Sequence, residues 1–441
     1  MLVEVTEVLD TDPSESDDPD FSIRFSDLFK RFMDDLTNTQ AVSDAVARLY
    51  NTYPFPPEPF LDEAPPGYNW RWYWPTVHSF CTGALPVGDK VRVLDAGCGT
   101  GVSTEYIGHL NPRAEVLGID LSERAIATAT ERCRRSGATN VQFRQLSIYD
   151  VDQIEGEFDW INCVGVIHHM PDPLKGLQAL ATKLAPGGFI HLFVYAAIGR
   201  WEISLMQRAI ALVQGSQRGD YRDGVQVGRQ IFASLPEGNR LKQRERDRWS
   251  MENHRDECFA DMYVHPQEVD YTLDSLFELV EASGLEFVGF SNPQVWQLDR
   301  LLAADPALLE RAQQLPEKDQ YRLVELLDPE ITHFEWFLAR PPYPRFSWDK
   351  DAALLSAIPS RNPCMEGWPS QSIFDHNYQI VALNQAEFEF LQACDRHNGP
   401  TPTQAQASVA DLLSQGEASL EAVRQMQQRQ LILLASPPQL G

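Results

Sequence analysis

The sequence predicts an α/β fold: a mostly parallel sheet with helices on both faces. Three observations predict it. From Val91 onward, short apolar runs of strand length alternate with helical stretches. A glycine-rich turn, Asp95-Ala96-Gly97-Cys98-Gly99-Thr100-Gly101, joins the first such run to the first helix. The composition is that of a folded chain, with 43% hydrophobic and 23% charged residues.

The elements follow in order. Strands are predicted at 91–94, 116–119, 141–145, 158–164 and 189–195. Helices at about 103–110, 123–135 and 174–184 lie between them. Asp172-Pro173 opens the last helix as N-cap and first helical residue. Ala185-Pro186-Gly187-Gly188 ends it. Strands separated by such helices pair in parallel. Residues 196–265 interrupt the pattern with a polar, helical insertion. Alternation resumes with a helix at 273–283, a strand at 287–290, a helical stretch at 297–327 and a seventh strand at 332–338.

The flanking regions differ. Residues 1–20 carry eight acids and no Lys or Arg, which predicts a solvated tail. Residues 21–50 show apolar residues at helical spacing, as in Phe25, Leu28, Phe29, Phe32, Met33 and Leu36. Tyr53-Pro54-Phe55-Pro56-Pro57 then forbids regular helix. The alternation Trp70, Trp72, Trp74 suits a strand or extended wall, with Arg71 a candidate anion contact. Residues 21–90 thus read as a helix plus an aromatic, proline-rich lid segment. The main domain is expected over 91–340. After the linker Arg340-Pro341-Pro342-Tyr343-Pro344, residues 345–441 are expected to form a small accessory α+β unit. It has a hairpin across His376-Asn377, three short helices and an apolar end at 431–434. At 441 residues the chain has room for two to three domains of roughly 100–200 residues.

Charge excludes one class of partner. Lys and Arg number 37 against 63 Asp and Glu, a net charge of −26. Nucleic-acid affinity comes largely from neutralised phosphates, so this balance disfavours nucleic acid. The seven cysteines are dispersed, with no C-x-x-C pair, so no zinc or other metal site is expected. They suit a reducing, cytoplasmic setting. No apolar run approaches the ~18 residues that span a bilayer. There is no G-x-S-x-G elbow and no H-E-x-x-H.

The chemical signal is the glycine turn. Glycines there let the backbone turn tightly and approach a ligand. The sixth position of a dinucleotide fingerprint is Val102, and no G-x-x-x-x-G-K-[ST] follows. A ligand without a pyrophosphate fits better. Asp120 ends the second strand, where an acid can accept hydrogen bonds from both ribose hydroxyls.

Residues 93–101, 115–120, 158–169 and 184–188 together resemble the successive motifs of class I S-adenosylmethionine-dependent methyltransferases. The resemblance is close over about 90–195 and loose to 340. It implies a Rossmann-like, seven-stranded sheet whose last strand is antiparallel. It also implies S-adenosylmethionine as cofactor. Asp95, Gly97 and Gly99 would surround the methionine moiety, with backbone at Cys98 and Gly101 lining its approach. Asp120 would bind the ribose and Leu121 would lie against the adenine. Ser147 and Ile148 stand where the family often has an acid and a small residue, and Ile148 backbone could read the adenine edge. Val164 closes the fourth strand beside the transfer point.

Methyl transfer needs alignment above all, and a base only for a protonated nucleophile. His168 and His169, just past the fourth strand, are candidates for base or substrate ligand. Tyr263 and His265, after the insertion, are candidates for substrate contact, as is Tyr195. At this place in the fold the insertion predicts a lid or a homodimer contact. The C-terminal unit faintly resembles winged-helix modules, which suits packing or protein recognition. The acceptor expected is a small molecule, with a protein or peptide second. A cofactor-binding regulator without catalysis is the third reading.

Overall fold

The structure is a computed structural model, and it describes residues 39–88, 90–400 and 403–436. The acidic tail and residues 21–38 of the predicted N-terminal helix lie outside the described residues. The remainder of that helix runs over 39–52.

Seven strands form the central sheet: β1 (Arg92–Ala96), β2 (Glu115–Asp120), β3 (Val141–Gln145), β4 (Phe158–Val164), β5 (Leu184–Tyr195), β6 (Glu286–Phe290) and β7 (His333–Ala339). Their order is β3-β2-β1-β4-β5-β7-β6. Only β7 runs antiparallel, pairing with β5 on one side and β6 on the other. This is the Rossmann-like, mostly parallel sheet that the motifs imply. The chain reverses direction across the sheet between β1 and β4, the switch point where such sheets bind ligands.

Local chemistry sets the helices between the strands. Ser122 accepts a hydrogen bond from Ala125 N and starts helix Glu123–Ser136, which Gly137 ends in the left-handed region. Asp172 accepts from Lys175 N ahead of Pro173 and starts helix Pro173–Lys183. The apolar faces of these helices bury the sheet. Leu94, Ile119, Ile161, Ile190 and Leu192 lie in one fully buried cluster with Leu177 and Leu180. On the other face, Trp74, Val93, Trp160, Phe189 and Phe337 pack together.

The tryptophan segment departs from the sequence expectation. Trp70–Trp72 is a single 3-10 turn, and helix Trp74–Thr82 begins at once, with Pro75 in its first turn. Pro presets helical φ and lacks the N–H that a strand ladder needs, so the extended reading fails. Trp70 and Trp74 are core residues, while Trp72 reaches the cavity described below. Arg71, the candidate anion contact, pairs internally with Glu335 at 2.8 Å.

The insertion folds into helices, chiefly Ala197–Gln214, Tyr221–Ser234 and Asp256–Tyr263. Ile203, Met206, Ile210, Val225 and Phe259 make a core of their own, into which helix 39–52 inserts Leu49. In the C-terminal unit, β8 (Ile358–Arg361) pairs with β11 (Ile432–Ala435), and β9 (Ser372–Phe374) with β10 (Ile380–Ala382). The expected hairpin is therefore present. The unit grips the main body: Leu85 N donates to Leu434 O at 2.7 Å, and Trp348 Nε1 to Gly83 O at 2.6 Å. Tyr378 stacks on Tyr68 at 4.7 Å. Among the described residues, no helix is long and apolar enough to cross a membrane. All seven cysteines are unpaired.

Candidate active site at the carboxyl edge of the sheet

The glycine turn leaves β1 with Gly97 at φ +80° and Gly99 at φ +52°, a region that disfavours side chains. Space demands glycine as well. A Cβ on Gly97 would sit 2.3 Å from the Val166 side chain, and one on Gly99 would sit 2.4 Å from Phe55 O. The Phe55-Pro56 backbone lies directly over the turn. Thr100 N donates to Phe55 O at 3.1 Å, and Thr100 Oγ1 to Pro56 O at 2.6 Å. The proline-rich stretch is a roof.

Two carboxylates hold this turn. Asp95 is fully buried, and its oxygens accept from Ser103 Oγ (2.7 Å), Thr104 Oγ1 (2.5 Å) and Asn162 Nδ2 (2.7 Å). Asp120 accepts from Gly99 N at 2.9 Å and Ser122 N at 2.8 Å. Burial raises the pKa of both carboxyls, against the pull of these donors.

Over the turn lies a cavity of about 400 Å³. Gly97, Cys98, Gly99, Asp120, Leu121, Ser147 and Ile148 line it, with Val164 closing β4. Tyr50, Trp72, His169, Phe193, Tyr195 and Asp261 complete the wall. Among the described lining residues there is no Lys or Arg. A phosphate would lack a counter-charge here. An adenosine with a cationic, phosphate-free tail suits these walls: a carboxylate for hydroxyls, apolar surfaces for a base, and acids for a cation.

His169 has a defined tautomer. Its Nδ1 lies 2.9 Å from Gln267 O, and a carbonyl only accepts, so Nδ1 carries the proton. Nε2 of the neutral ring is therefore a lone pair. Burial lowers the pKa of His169, against the opposing field of Asp261. Tyr50 donates to Asp261 Oδ1 at 2.9 Å, and burial raises the Asp261 carboxyl. Burial also holds Tyr195 well above the usual phenol, with the Arg200 guanidinium 3.4 Å over its ring.

The structure brings together ten of the sequence-predicted residues on this wall: Gly97, Cys98, Gly99, Asp120, Leu121, Ser147, Ile148, Val164, His169 and Tyr195. Five others lie elsewhere. Asp95 sits beneath the turn with its oxygens engaged by protein donors. Gly101 abuts Ala129, where a Cβ would come within 2.6 Å, so it serves helix packing. His168 is fully buried behind the wall, its ring 4.0 Å from that of Tyr195. Tyr263 points into the insertion core and donates to Glu245 Oε2 at 2.5 Å. His265 stacks on His169 at 3.6 Å, and its Nδ1 accepts from Gln267 N. It backs the wall and does not line it.

Sequence reasoning missed Tyr50, Phe55, Pro56, Ser103 and Asp261. One signal was readable. Ser43, Val46 and Tyr50 recur at helical spacing on one stripe and all face the cavity.

Fold and cavity together are those of the Rossmann-like class, with its ligand site at the carboxyl edge of the sheet. Residues 88–213 match the family model of a methyltransferase domain. The chain is 57% identical over 395 residues to an uncharacterised protein of Synechococcus sp., covering 89% of this chain and 94% of that one. It is 70% identical over 94 residues to an uncharacterised phycocyanin operon protein of Pseudanabaena tenuis, 21% of this chain and 89% of that one. Among solved structures, PKMT2 from Rickettsia typhi in complex with AdoHcy superposes with a TM-score of 0.59 at 16% identity. That match covers 84% of this chain and 77% of the other. The chain carries a class I S-adenosylmethionine-dependent methyltransferase core, and its cofactor is S-adenosylmethionine.

Proposed function

We propose that this enzyme methylates a compact polar acceptor whose nitrogen or oxygen arrives with a proton, and that His169 takes the proton. The observation that carries the reading is the His169 tautomer: Nδ1 is committed to Gln267 O, so Nε2 is a neutral lone pair on the cavity wall. Bound S-adenosylmethionine supplies a methyl group already activated on a sulfonium sulfur.

The chain does the rest. The Gly97–Gly99 backbone would take the methionine end of the cofactor, Asp120 the ribose, and Leu121 with Ile148 the adenine faces. Val164, at the end of β4, would border the transferred methyl. Asp261 accepts a hydrogen bond from an N–H or O–H of the acceptor, while Tyr50 holds Oδ1 in place. With no Lys or Arg among the described wall residues, an anionic acceptor is disfavoured. Buried walls exclude water and hold the nucleophile in line, and alignment is the larger part of the catalysis. His169 Nε2 then holds the released proton.

The carrier of that acceptor group is a small molecule in the first reading, which a cavity of this size supports. A second reading places the group on a protein. Its specific support is the kinship with a phycocyanin operon protein. The test uses S-adenosylmethionine labelled in the methyl group, offered with the small-molecule fraction of a cell extract or with purified phycocyanin. Label in the small-molecule fraction upholds the first reading, and label in phycocyanin the second. In either case His169→Ala should remove at least a hundredfold of the rate, within the ~10²–10⁴ typical of a lost base. A His169→Ala enzyme that methylates at the wild-type rate refutes the base.

A further inference from the structure

A second set of buried polar residues leads away from the cavity, across the sheet. It begins at Asp95, under the glycine turn. Asp95, Asn162 and His191 are direct neighbours on β1, β4 and β5. Asn162 donates from Nδ2 to Asp95 Oδ1 at 2.7 Å, which turns its Oδ1 toward His191. His191 Nδ1 lies 2.8 Å from that oxygen. Its Nε2 lies 3.1 Å from Glu335 Oε1 on β7. Both ring nitrogens face acceptors, so both donate. Glu335 Oε2 accepts from Ser291 Oγ at 2.6 Å and pairs with Arg71 at 2.8 Å. Asp95, Asn162 and His191 are each 1% exposed.

Buried polar groups of this kind cost stability unless every partner is present. Here the order of donors and acceptors admits one arrangement. Asp95 must accept, so Asn162 must donate to it. Asn162 keeps that orientation only while His191 donates to its oxygen. His191 donates at both ends only while Glu335 accepts. Burial alone would raise the Glu335 carboxyl, yet His191 and Arg71 hold it down at about 2. The arrangement ends on Ser103 and Thr104, which Asp95 binds at the start of the helix after the turn, and Ser103 lines the cavity.

We propose that His191 and Glu335 are positioning residues for the methyl-donor site, setting its affinity from the far side of the sheet through Asn162 and Asp95. This rests on the cofactor and not on the acceptor, so it stands whether or not His169 is the base. Loss of the His191 donors frees the Asn162 amide to turn its oxygen to Asp95. Asp95 then loses its grip on Ser103 and the turn loses its shape.

The test is calorimetry with S-adenosylhomocysteine on the full chain. His191→Phe keeps a ring stacked on Phe337, now 4.9 Å from the histidine, and removes both donors. Its affinity should fall by about tenfold, the worth of one hydrogen bond to a charged group. The donor KM should rise to match, with kcat at saturating donor unchanged. Phe337→Leu, a packing change beside the same ring, should lower the melting temperature and leave affinity within about twofold. Should His191→Phe fail to fold, Glu335→Gln carries the same expectation with a smaller loss, about threefold. Wild-type affinity in a folded His191→Phe or Glu335→Gln variant overturns the proposal. So does a Phe337→Leu variant that loses affinity in step with its melting temperature.

Discussion

Gly99→Ala is the sharpest perturbation of the donor site, and its size can be worked out beforehand. Holding Ala at φ +52° costs roughly 1–2 kcal/mol. The new Cβ would also lie 2.4 Å from Phe55 O, a backbone atom that cannot swing away. The roof must lift. Lifting breaks Thr100 N to Phe55 O and Thr100 Oγ1 to Pro56 O, at about 1 kcal/mol each. The sum is roughly 3–4 kcal/mol, and at about 1.4 kcal/mol per decade it corresponds to about a hundred- to a thousandfold in affinity. Calorimetry with S-adenosylhomocysteine reads it directly. Gly137→Ala is the control, because Gly137 has φ +84°, has nothing within 4 Å of a new Cβ, and lies at a helix end off the cavity. It should lower the melting temperature and leave affinity alone. If Gly99→Ala binds as wild type does, the roof plays no part in holding the donor.

Three further outcomes are expected. Asp120→Ala removes the carboxylate facing the cavity together with its brace on Gly99 N, and should weaken S-adenosylhomocysteine by ten- to a hundredfold, at about 1.5–3 kcal/mol for hydrogen bonds to a charge; unchanged affinity would mean the ribose lies elsewhere. Burial depresses the His169 pKa, so His169 stays neutral into mild acid, and kcat/KM should hold level below pH 6.5, the usual imidazole value, before falling; a fall centred at or above 6.5 would contradict the assignment. His168 is fully buried, and among the described residues neither ring nitrogen has a partner. Burial drives its folded pKa well below 6.5, so beneath pH 6.5 the unfolded chain gains a proton that the fold refuses. Stability is therefore unaffected above 6.5 and declines by about 1.4 kcal/mol per pH unit below it. His168→Phe should lose less melting temperature between pH 7 and 5.5 than wild type does, and an identical loss would place the acid sensitivity elsewhere.

Much of the sheet was legible because strand and helix leave different periods. β3 and β4 begin and end where the apolar runs do, and Gly97, Gly99 and Asp120 announce the ligand by chemistry and spacing. The misreadings have two causes: a local helix start taken for a strand, and sides set by neighbours distant in sequence. Trp70, Trp72 and Trp74 alternate as a strand would, but Pro75 turns them into a 3-10 turn and a helix start. Tyr263 and Asp261 share one helix two positions apart, about 200° around its axis. One faces the insertion core, where it meets Glu245 and Phe259, and the other faces the cavity, where Tyr50 donates to it. Glu335 reads as a charge interrupting an apolar strand. Its meaning lies in His191 and Arg71, far off along the chain.

The roof and the inserted helices have a consequence for what counts as the working unit. Residues 88–213 contain the glycine turn, Asp120, His169 and five of the seven strands, and they would pass for a complete module. Yet the ceiling comes from Phe55 and Pro56, one wall from Tyr50 and Trp72, and another from Asp261. A chain trimmed to those residues would carry every recognisable signature over an open trough. In this enzyme the stretch that names the family and the stretch that encloses the reaction are different lengths of the chain. Exchanging residues 39–72 or the insertion would therefore recast the chamber while leaving the signature untouched.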